Sequence, residues 1–150
     1  MKKRILSIFL CLVMVFSLLP FTASAASAVP INEETFPDPV FREYVLKIVG
    51  SSVLTEEKAR QIEVLDVSDD NIKEVLGDRA PITSLMGIRY LRYVKDLNCS
   101  GQELKKTLNL EQNSRVEKLN CSGNQLTGLW FHTGSWLSSM SMITSSPRST

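Results

Sequence analysis

The stretch Val116-Glu-Lys-Leu119-Asn-Cys121-Ser-Gly-Asn124-Gln-Leu126-Thr-Gly-Leu129 carries the most informative pattern in the chain. It matches L-x-x-L-x-(L/C)-x-x-N-x-L at every defined position if valine is counted as leucine. Leu119 and Cys121 alternate with polar residues, as the inward positions of a short strand do. The last two leucines return to the same core, and Asn124 can bond turn backbone that would otherwise be buried unpaired. This pattern predicts a strand and turn that share one core.

Two earlier segments repeat the strand part of this pattern. The aligned segments are Val64-Leu65-Asp66-Val67-Ser68, Asp96-Leu97-Asn98-Cys99-Ser100 and Lys118-Leu119-Asn120-Cys121-Ser122. The last two lie 22 residues apart and the first two 32 apart, which indicates an insertion near residues 72–81. A fixed period of about 20 to 29 residues with this pattern is the leucine-rich-repeat signature. The sequence therefore predicts an α/β fold of stacked short parallel strands.

The first two repeats depart from the pattern after their strands. In the first, Ile72-Lys73-Glu74-Val75 and Ile82-Thr83-Ser84-Leu85 are rival occupants of one repeat position. At the place of Asn124, the second repeat has Gln102 and the first has Asp70. We therefore expect the column of asparagines to be broken in two of the three repeats.

The residues before the repeats have helical signals. Asp38 followed by Pro39 is typical of an N-cap and first helical position, and Gly50 is a stop signal. The apolar residues between them recur at helical spacing. A second, shorter helix is expected to begin at Thr55. Residues 29–63 are thus predicted to form an α-helical cap, followed by repeats over 64–131 and an unmatched serine-rich tail over 132–150.

Residues 1–28 have the three parts of a secretory signal peptide. Lys2-Lys3-Arg4 is followed by an apolar run, and Ala23-Ser24-Ala25 and Ala26-Ser27-Ala28 are tandem small-x-small cleavage sites. An uncleaved membrane anchor is the alternative, because the run is nearly long enough to span a bilayer. We expect export, cleavage before Ala26 or Val29, and no stable membrane insertion afterwards.

Cleavage would change the charge and cysteine counts. Three of the 17 Lys and Arg lie in the leader, which leaves 14 against 16 Asp and Glu, a formal charge of −2. A near-neutral chain without a basic run gives no electrostatic reason to expect nucleic-acid binding. Cys11 leaves with the leader, so Cys99 and Cys121 remain, too few for a disulfide-stapled miniature fold.

Cys99 and Cys121 occupy the same inward position of successive repeats. Stacked strands hold such residues about 4.8 Å apart with parallel side chains. A disulfide needs its β-carbons closer, at about 3.8 Å and turned together. A column of buried thiols is therefore favoured over a disulfide, and zinc would need about four ligands, more than these repeats offer.

Other candidate sites are weak. Asp66, Ser68 and Asp70 resemble the start of a calcium loop, but that loop's glycine and bidentate glutamate are missing. His132 is the only histidine and lies beyond the repeats, so we expect no catalytic triad. Trp130 and Trp136 either form an exposed aromatic anchor or cover the open end of the stack, and covering is favoured because repeat stacks must hide their terminal core. We expect no metal, no cofactor and no enzymatic activity.

The chain resembles the exported leucine-rich-repeat proteins of Gram-positive bacteria, related to the cysteine-bearing internalins. The resemblance covers residues 31 to about 131. It rests on Ile31-Asn-Glu-Glu-Thr-Phe-Pro-Asp-Pro-Val-Phe-Arg-Glu-Tyr-Val45, on Gly87-Ile88-Arg-Tyr-Leu91 and on the doubled Leu-Asn-Cys-Ser-Gly. Family members often have an Asp-rich calcium loop between the cap helices. Here the corresponding Val49-Gly50-Ser51-Ser52-Val53 has no carboxylate, so calcium binding is not implied.

The tail departs from the family, which would continue with Asp-Leu-Ser and a further repeat. Members also tend to have many more repeats and wall-anchoring signals. Residues 135–150 match no repeat, and two interpretations stay open: a truncated or frame-shifted reading frame, and a genuine divergent end. The resemblance therefore implies an internalin-like protein that is a truncated member on the first interpretation.

The resemblance and the repeats together predict a non-catalytic, exported recognition or adhesion module. Its right-handed solenoid would bind a protein or a cell-surface glycan through the polar strand face. The candidate face residues are Asp66, Asp96, Asn98, Ser100, Lys118, Asn120 and Ser122. Two alternatives remain, a spacer of a longer cell-envelope enzyme and a non-functional fragment.

Overall fold

The computed structural model describes residues 28–131 and 141–143, and it shows a mixed α/β fold with short parallel strands and a few helices. The helices are α1 (Pro39–Val49), α2 (Glu56–Gln61) and α3 (Asp69–Leu76), with a 3-10 turn at Ile88–Tyr90. The strands are β1 (Val29–Pro30), β2 (Val53–Leu54), β3 (Val64–Asp66), β4 (Asp96–Asn98), β5 (Leu108–Leu110), β6 (Lys118–Asn120), β7 (Leu129–Phe131) and β8 (Ser141–Ile143). The signal-peptide prediction falls on residues outside this range, apart from residue 28.

The two cap helices are confirmed. Asp38 caps α1 by accepting hydrogen bonds from the amides of Val40 and Phe41 at 3.1 and 3.0 Å. Gly50 ends it with φ 66, in the left-handed region where glycine is unstrained. Thr55 is the N-cap of α2. Strands β1 and β2 pair antiparallel beside these helices.

The repeat strands form one parallel sheet, ordered β3-β4-β6-β8. The register pairs Leu65 with Leu97 and Leu97 with Leu119, as the sequence alignment predicts. Both inward columns are buried: Leu65, Leu97 and Leu119, and beside them Val67, Cys99 and Cys121. Strand β8 pairs in parallel with β6 and extends the sheet, although the sequence of residues 135–150 matches no repeat.

The amide column is continuous where the sequence predicted a break. Asn124 donates to the Cys99 carbonyl at 2.7 Å and accepts from the Leu104 amide at 3.1 Å. One repeat earlier, Gln102 donates to the Val67 carbonyl at 2.9 Å and accepts from the Ile82 amide at 2.7 Å. The longer side chain makes the same two bonds, and it is buried. The prediction of a broken column at Gln102 is therefore wrong.

The insertion in the first repeat is helix α3. The carbonyl of Ile82 accepts a hydrogen bond from the Glu103 amide. The carbonyl of Leu104 accepts the equivalent bond from Gln125 in the next repeat, so Ile82, and not Ile72, occupies the repeat position. Ile72 lies instead on α3, where it is also buried. Asp70 is exposed on this helix and is not part of the amide column. Ser68 caps α3, so the chain has already turned into the helix at residue 70.

On the other side of the stack, β5 and β7 form a two-stranded parallel sheet. Leu126 and Leu129 are partly buried against the core. Trp130 is 59% exposed, so the expectation that it covers the end of the stack is wrong. The same expectation for Trp136, and the interpretation of His132, concern residues outside the described range.

Candidate ligand-binding face

All seven candidate residues lie on the solvent side of the parallel sheet or at the ends of its strands. The register aligns Val64, Asp96 and Lys118 in one column and Asp66, Asn98 and Asn120 in the next. Lys118 and Asp96 form an ion pair at 3.6 Å across the strands. Because their side chains are 70% and 40% exposed, this pair contributes little stability and leaves the face near neutrality.

The second column is held by a repeated polar contact. Oδ1 of Asn98 accepts bonds from the Ser100 amide at 3.2 Å and its hydroxyl at 2.8 Å, and Asn120 holds Ser122 at the same distances. Asp66 binds Ser68 in the same way, at 3.0 and 2.6 Å. These contacts fix the side chains and occupy one oxygen of each.

The other polar group of each residue stays available. Within the described residues, neither the amide NH₂ of Asn98 nor that of Asn120 donates to another protein atom. In the same part of the chain, Oδ2 of Asp66 accepts no hydrogen bond, whereas Oδ1 accepts two. The face therefore presents a carboxylate oxygen and two amide groups in a row, spaced by the strand separation of about 4.8 Å. Ser68, by contrast, is buried and caps α3.

Sequence reasoning missed two features of this face. Val64 is 67% exposed in the Asp96 column, although its phase in the strand already placed it outward. Tyr93 forms the second feature, beside the starts of the strands, where the guanidinium carbons of Arg60 and Arg115 lie 5.2 and 4.6 Å from its ring centroid. Arg115 follows Tyr93 by one repeat, and that spacing is the signal that could have revealed the contact.

The Tyr93 hydroxyl joins the second repeat to the cap. It donates to Oε1 of Glu56 on α2. This hydrogen bond lowers the pKa of the Glu56 carboxyl, against the effect of desolvation and with the help of Arg92 and Arg60. An aromatic ring flanked by arginines is a common composition of recognition surfaces. We call the set Tyr93, Arg60 and Arg115 the tyrosine flank.

The cysteines lie beneath this face and offer it no reactivity. Cys99 and Cys121 are free and buried, as the prediction of stacked thiols expects. Burial, with a smaller effect of the neighbouring Cys121, raises the pKa of the Cys99 thiol to about 12, and burial also raises the pKa of Cys121. A thiol with such a pKa is neutral at physiological pH and is a poor nucleophile and metal ligand.

The described part of the chain contains no cluster of three or more His, Cys, Asp or Glu side chains that could hold a metal ion. At the calcium-like segment, Asp66 binds Ser68 and Asp70 points to solvent on α3, so the three residues do not converge. Within residues 28–131 and 141–143, no helix has the length and apolar character needed to cross a bilayer.

Comparisons with known proteins support the fold. Sixteen chains of solved structures match, among them the functional domain of InlJ from Listeria monocytogenes, which includes a cysteine ladder. It aligns with a TM-score of 0.54 and 20% identity, over 79% of this chain and 28% of that chain. The fold is thus internalin-like, a leucine-rich-repeat architecture, and this chain spans well under half of its neighbour. No family model and no curated protein matches the sequence.

Proposed function

We propose that the chain is an exported, non-catalytic recognition module that binds a protein or a cell-surface glycan through its strand face. In this proposal the repeats form a right-handed leucine-rich-repeat solenoid behind the helical cap. The observation that carries it is the row of Asp66, Asn98 and Asn120, whose side chains are fixed by serines and keep one polar group without a partner among the described residues. The internalin-like fold of the structural neighbour supports it.

The row is suited to binding because its geometry is set before a ligand arrives. Each side chain is already held by two hydrogen bonds, so it loses little conformational freedom when a ligand binds. This lowers the entropic cost of association. Free amide NH₂ groups donate to carbonyl and hydroxyl oxygens, which proteins and glycans both present. The balanced charge of Asp96 and Lys118 favours such neutral polar partners over nucleic acid.

Export and surface location belong to the same proposal. They rest on the leader-like composition of residues 1–28 and on the resemblance to exported internalin-like proteins. A polar, rigid face is useful to an exported protein because its ligands lie on other cells or in the surrounding matrix.

A conservative substitution tests the face without disturbing its support. In Asn98→Asp and Asn120→Asp, the carboxylate can still accept both serine bonds, as Asp66 does in the first repeat, but the amide donor is lost. We expect ligands identified on arrays of extracellular proteins and surface glycans to lose binding to the double variant by about tenfold or more, since each lost hydrogen bond is worth about 1 kcal/mol.

The matched control is Asn32→Asp, which makes the same chemical change in the cap. Asn32 is exposed, and its Oδ1 accepts from the Glu34 and Thr35 amides, as the face residues accept from serines. This control should bind like the original protein. Equal binding by the original protein and the double face variant, to every ligand found, would refute recognition through the strand face.

A further inference from the structure

A cleft of about 530 Å³ opens on the side of the stack away from the strand face. It separates residues 83–89 of the first repeat from β5 and the turn before it. Its apolar lining comes from Leu85, Leu104 and Leu108, all nearly fully buried, while Met86 stands 62% exposed at its edge. The cleft lies within the usual size range of ligand-binding pockets.

Residues 83–87 lie between Ile82 and Ile88, which both bond to the second repeat, and they are themselves held by the cap. The buried Asp38 accepts bonds through Oδ2 from the amides of Thr83 and Ser84 at 2.9 and 3.2 Å. Gly87 then adopts φ 106, with Phe36 and Thr35 packed so closely that an added Cβ would lie 2.5 Å from each. These residues are therefore committed to the cap and are not free to pair with β5.

One edge of β5 is consequently unpaired. The strand forms a two-stranded sheet with β7. On the β7 side, the amide of Leu108 donates to the Gly128 carbonyl at 3.0 Å. Successive residues of a strand direct their backbone groups to opposite sides, so those of Asn109 face away from β7, on the cleft side. In the described residues, no backbone group of another segment bonds to the backbone N–H or C=O of Asn109. An open strand edge is a ready template for another strand.

We propose that this cleft binds an extended peptide segment of a partner protein, which adds as a third strand to β5. The peptide backbone pairs with the N–H and C=O of Asn109. An alternate side chain of the peptide, of apolar type, enters the space between Leu85 and Leu108. Such strand addition gives affinity through backbone bonds and specificity through pockets for alternate side chains.

The composition of the cleft favours a peptide over other ligands. Its charged lining residues, Arg89, Lys106 and Glu111, are of mixed sign and give no strong attraction for a polyanion. Among the described residues, its lining has no tryptophan, tyrosine or phenylalanine on which sugar rings and bases could stack. The flexible, exposed Met86 can repack against different apolar side chains. This site is separate from the strand face and does not depend on the function proposed for that face.

The test begins with peptides selected from a phage-displayed nonapeptide library against the full chain without its leader. Asn109→Pro removes the edge N–H and inserts a ring at the site of pairing, whereas β7 pairing survives because Leu108 and Leu110 carry it. Asn109→Ala keeps the N–H and removes only the side chain. Selected peptides should lose affinity by about tenfold or more for Asn109→Pro and by less than about threefold for Asn109→Ala.

Hydrogen exchange supplies a readout that needs no variant. The Asn109 amide should exchange fast in the free protein and slow by about tenfold or more in the presence of a saturating selected peptide. Failure of the library to yield a binder, equal affinity for Asn109→Pro and the original protein, or an unchanged Asn109 exchange rate would each overturn the proposal. Loss of binding by the double Asn98→Asp and Asn120→Asp variant instead would place the peptides on the strand face and also refute this site.

Discussion

Replacing Asp38 by alanine removes the junction between the cap and the first repeat. The side chain is 5% exposed and accepts five hydrogen bonds: two cap α1, and three reach Thr83 and Ser84, 45 and 46 residues away. The loss of an N-cap costs about 1 kcal/mol. Thr83 is exposed and Ser84 half-buried, so water can replace part of what their donors lose, and the three bonds to the charged carboxylate together add about 2–4 kcal/mol.

Because these terms are not additive, we expect Asp38→Ala to lower the free energy of unfolding by about 3–5 kcal/mol. That is a large share of the roughly 5–15 kcal/mol of a typical domain. Asp38→Asn retains one carbonyl oxygen for the cap but turns an NH₂ group towards donors of Thr83, so it should cost about 2–3 kcal/mol. Thr83→Val removes only the hydroxyl donor at 3.0 Å, and about 1 kcal/mol is expected.

Urea denaturation followed by far-ultraviolet circular dichroism measures all three variants against the original protein. The order Asp38→Ala, Asp38→Asn, Thr83→Val, from the most to the least destabilised, is the result that the structure predicts. If Asp38→Ala were within about 1 kcal/mol of the original protein, the five bonds would not be the cap–repeat junction, and the reasoning would fail.

Four further predictions concern the repeats and the loop between the cap helices. Gln102→Leu should cost about 2–4 kcal/mol in urea denaturation because two buried backbone groups lose their partner, and an unchanged midpoint would disprove the continuous amide column. Thiol titration should find Cys99 and Cys121 only after denaturation, and Cys121→Ser should cost about 1–3 kcal/mol. Burial raises the pKa of Cys99 from 9.0 to about 12, so the thiol's contribution to stability is complete below pH 9 and should be lost as the pH rises to about 12. A free energy of unfolding that does not change between pH 9 and 12 would contradict this. Thermal melts with calcium and with chelator should coincide, and a calcium-dependent rise of several degrees would show a site at residues 49–53 or 66–70.

Sequence patterns predicted the elements that depend on local signals. Asp38, Pro39 and Gly50 mark the ends of α1 because capping acts within a few residues of the chain. The period of 22 residues predicted the register of Leu97 with Leu119, because equivalent residues of a stack lie side by side.

Helix α3 lies where the repeat pattern left two alternatives open. Ser68, Asp69 and Asp70 have the cap and acidic first turn of a helix, and both signals were present in the sequence. The repeat pattern leaves Ile72 and Ile82 as alternative repeat residues because both satisfy the spacing of a repeat, and it takes no account of the helix signals that favour Ile82. Burial of Ile72 in either arrangement made the two alternatives indistinguishable from hydrophobicity alone.

The candidate face required contacts that a sequence does not display. The side chains of Asn98 and Asn120 were expected on the face, but their serine contacts depend on the backbone turn after each strand. Gln102 and Asn124 make equivalent hydrogen bonds although their side chains differ in length, because their backbones lie at different distances from the carbonyls that they bind. The bonds from Asp38 to Thr83 cross 45 residues of chain and have no local signal at all.

Amide hydrogen exchange at increasing urea concentration tests the central claim, that the cap and the repeats are one cooperative unit which supports the strand face. Because Asp38 joins the cap to the first repeat, α1 and the strands β3 and β4 should lose protection at the same urea concentration. Residues 118–131 should lose it earlier, since Leu126 and Leu129 are only partly buried and Trp130 is exposed. Loss of protection in β3 and β4 while α1 stays protected, or equal protection of residues 118–131 and α1, would contradict this claim.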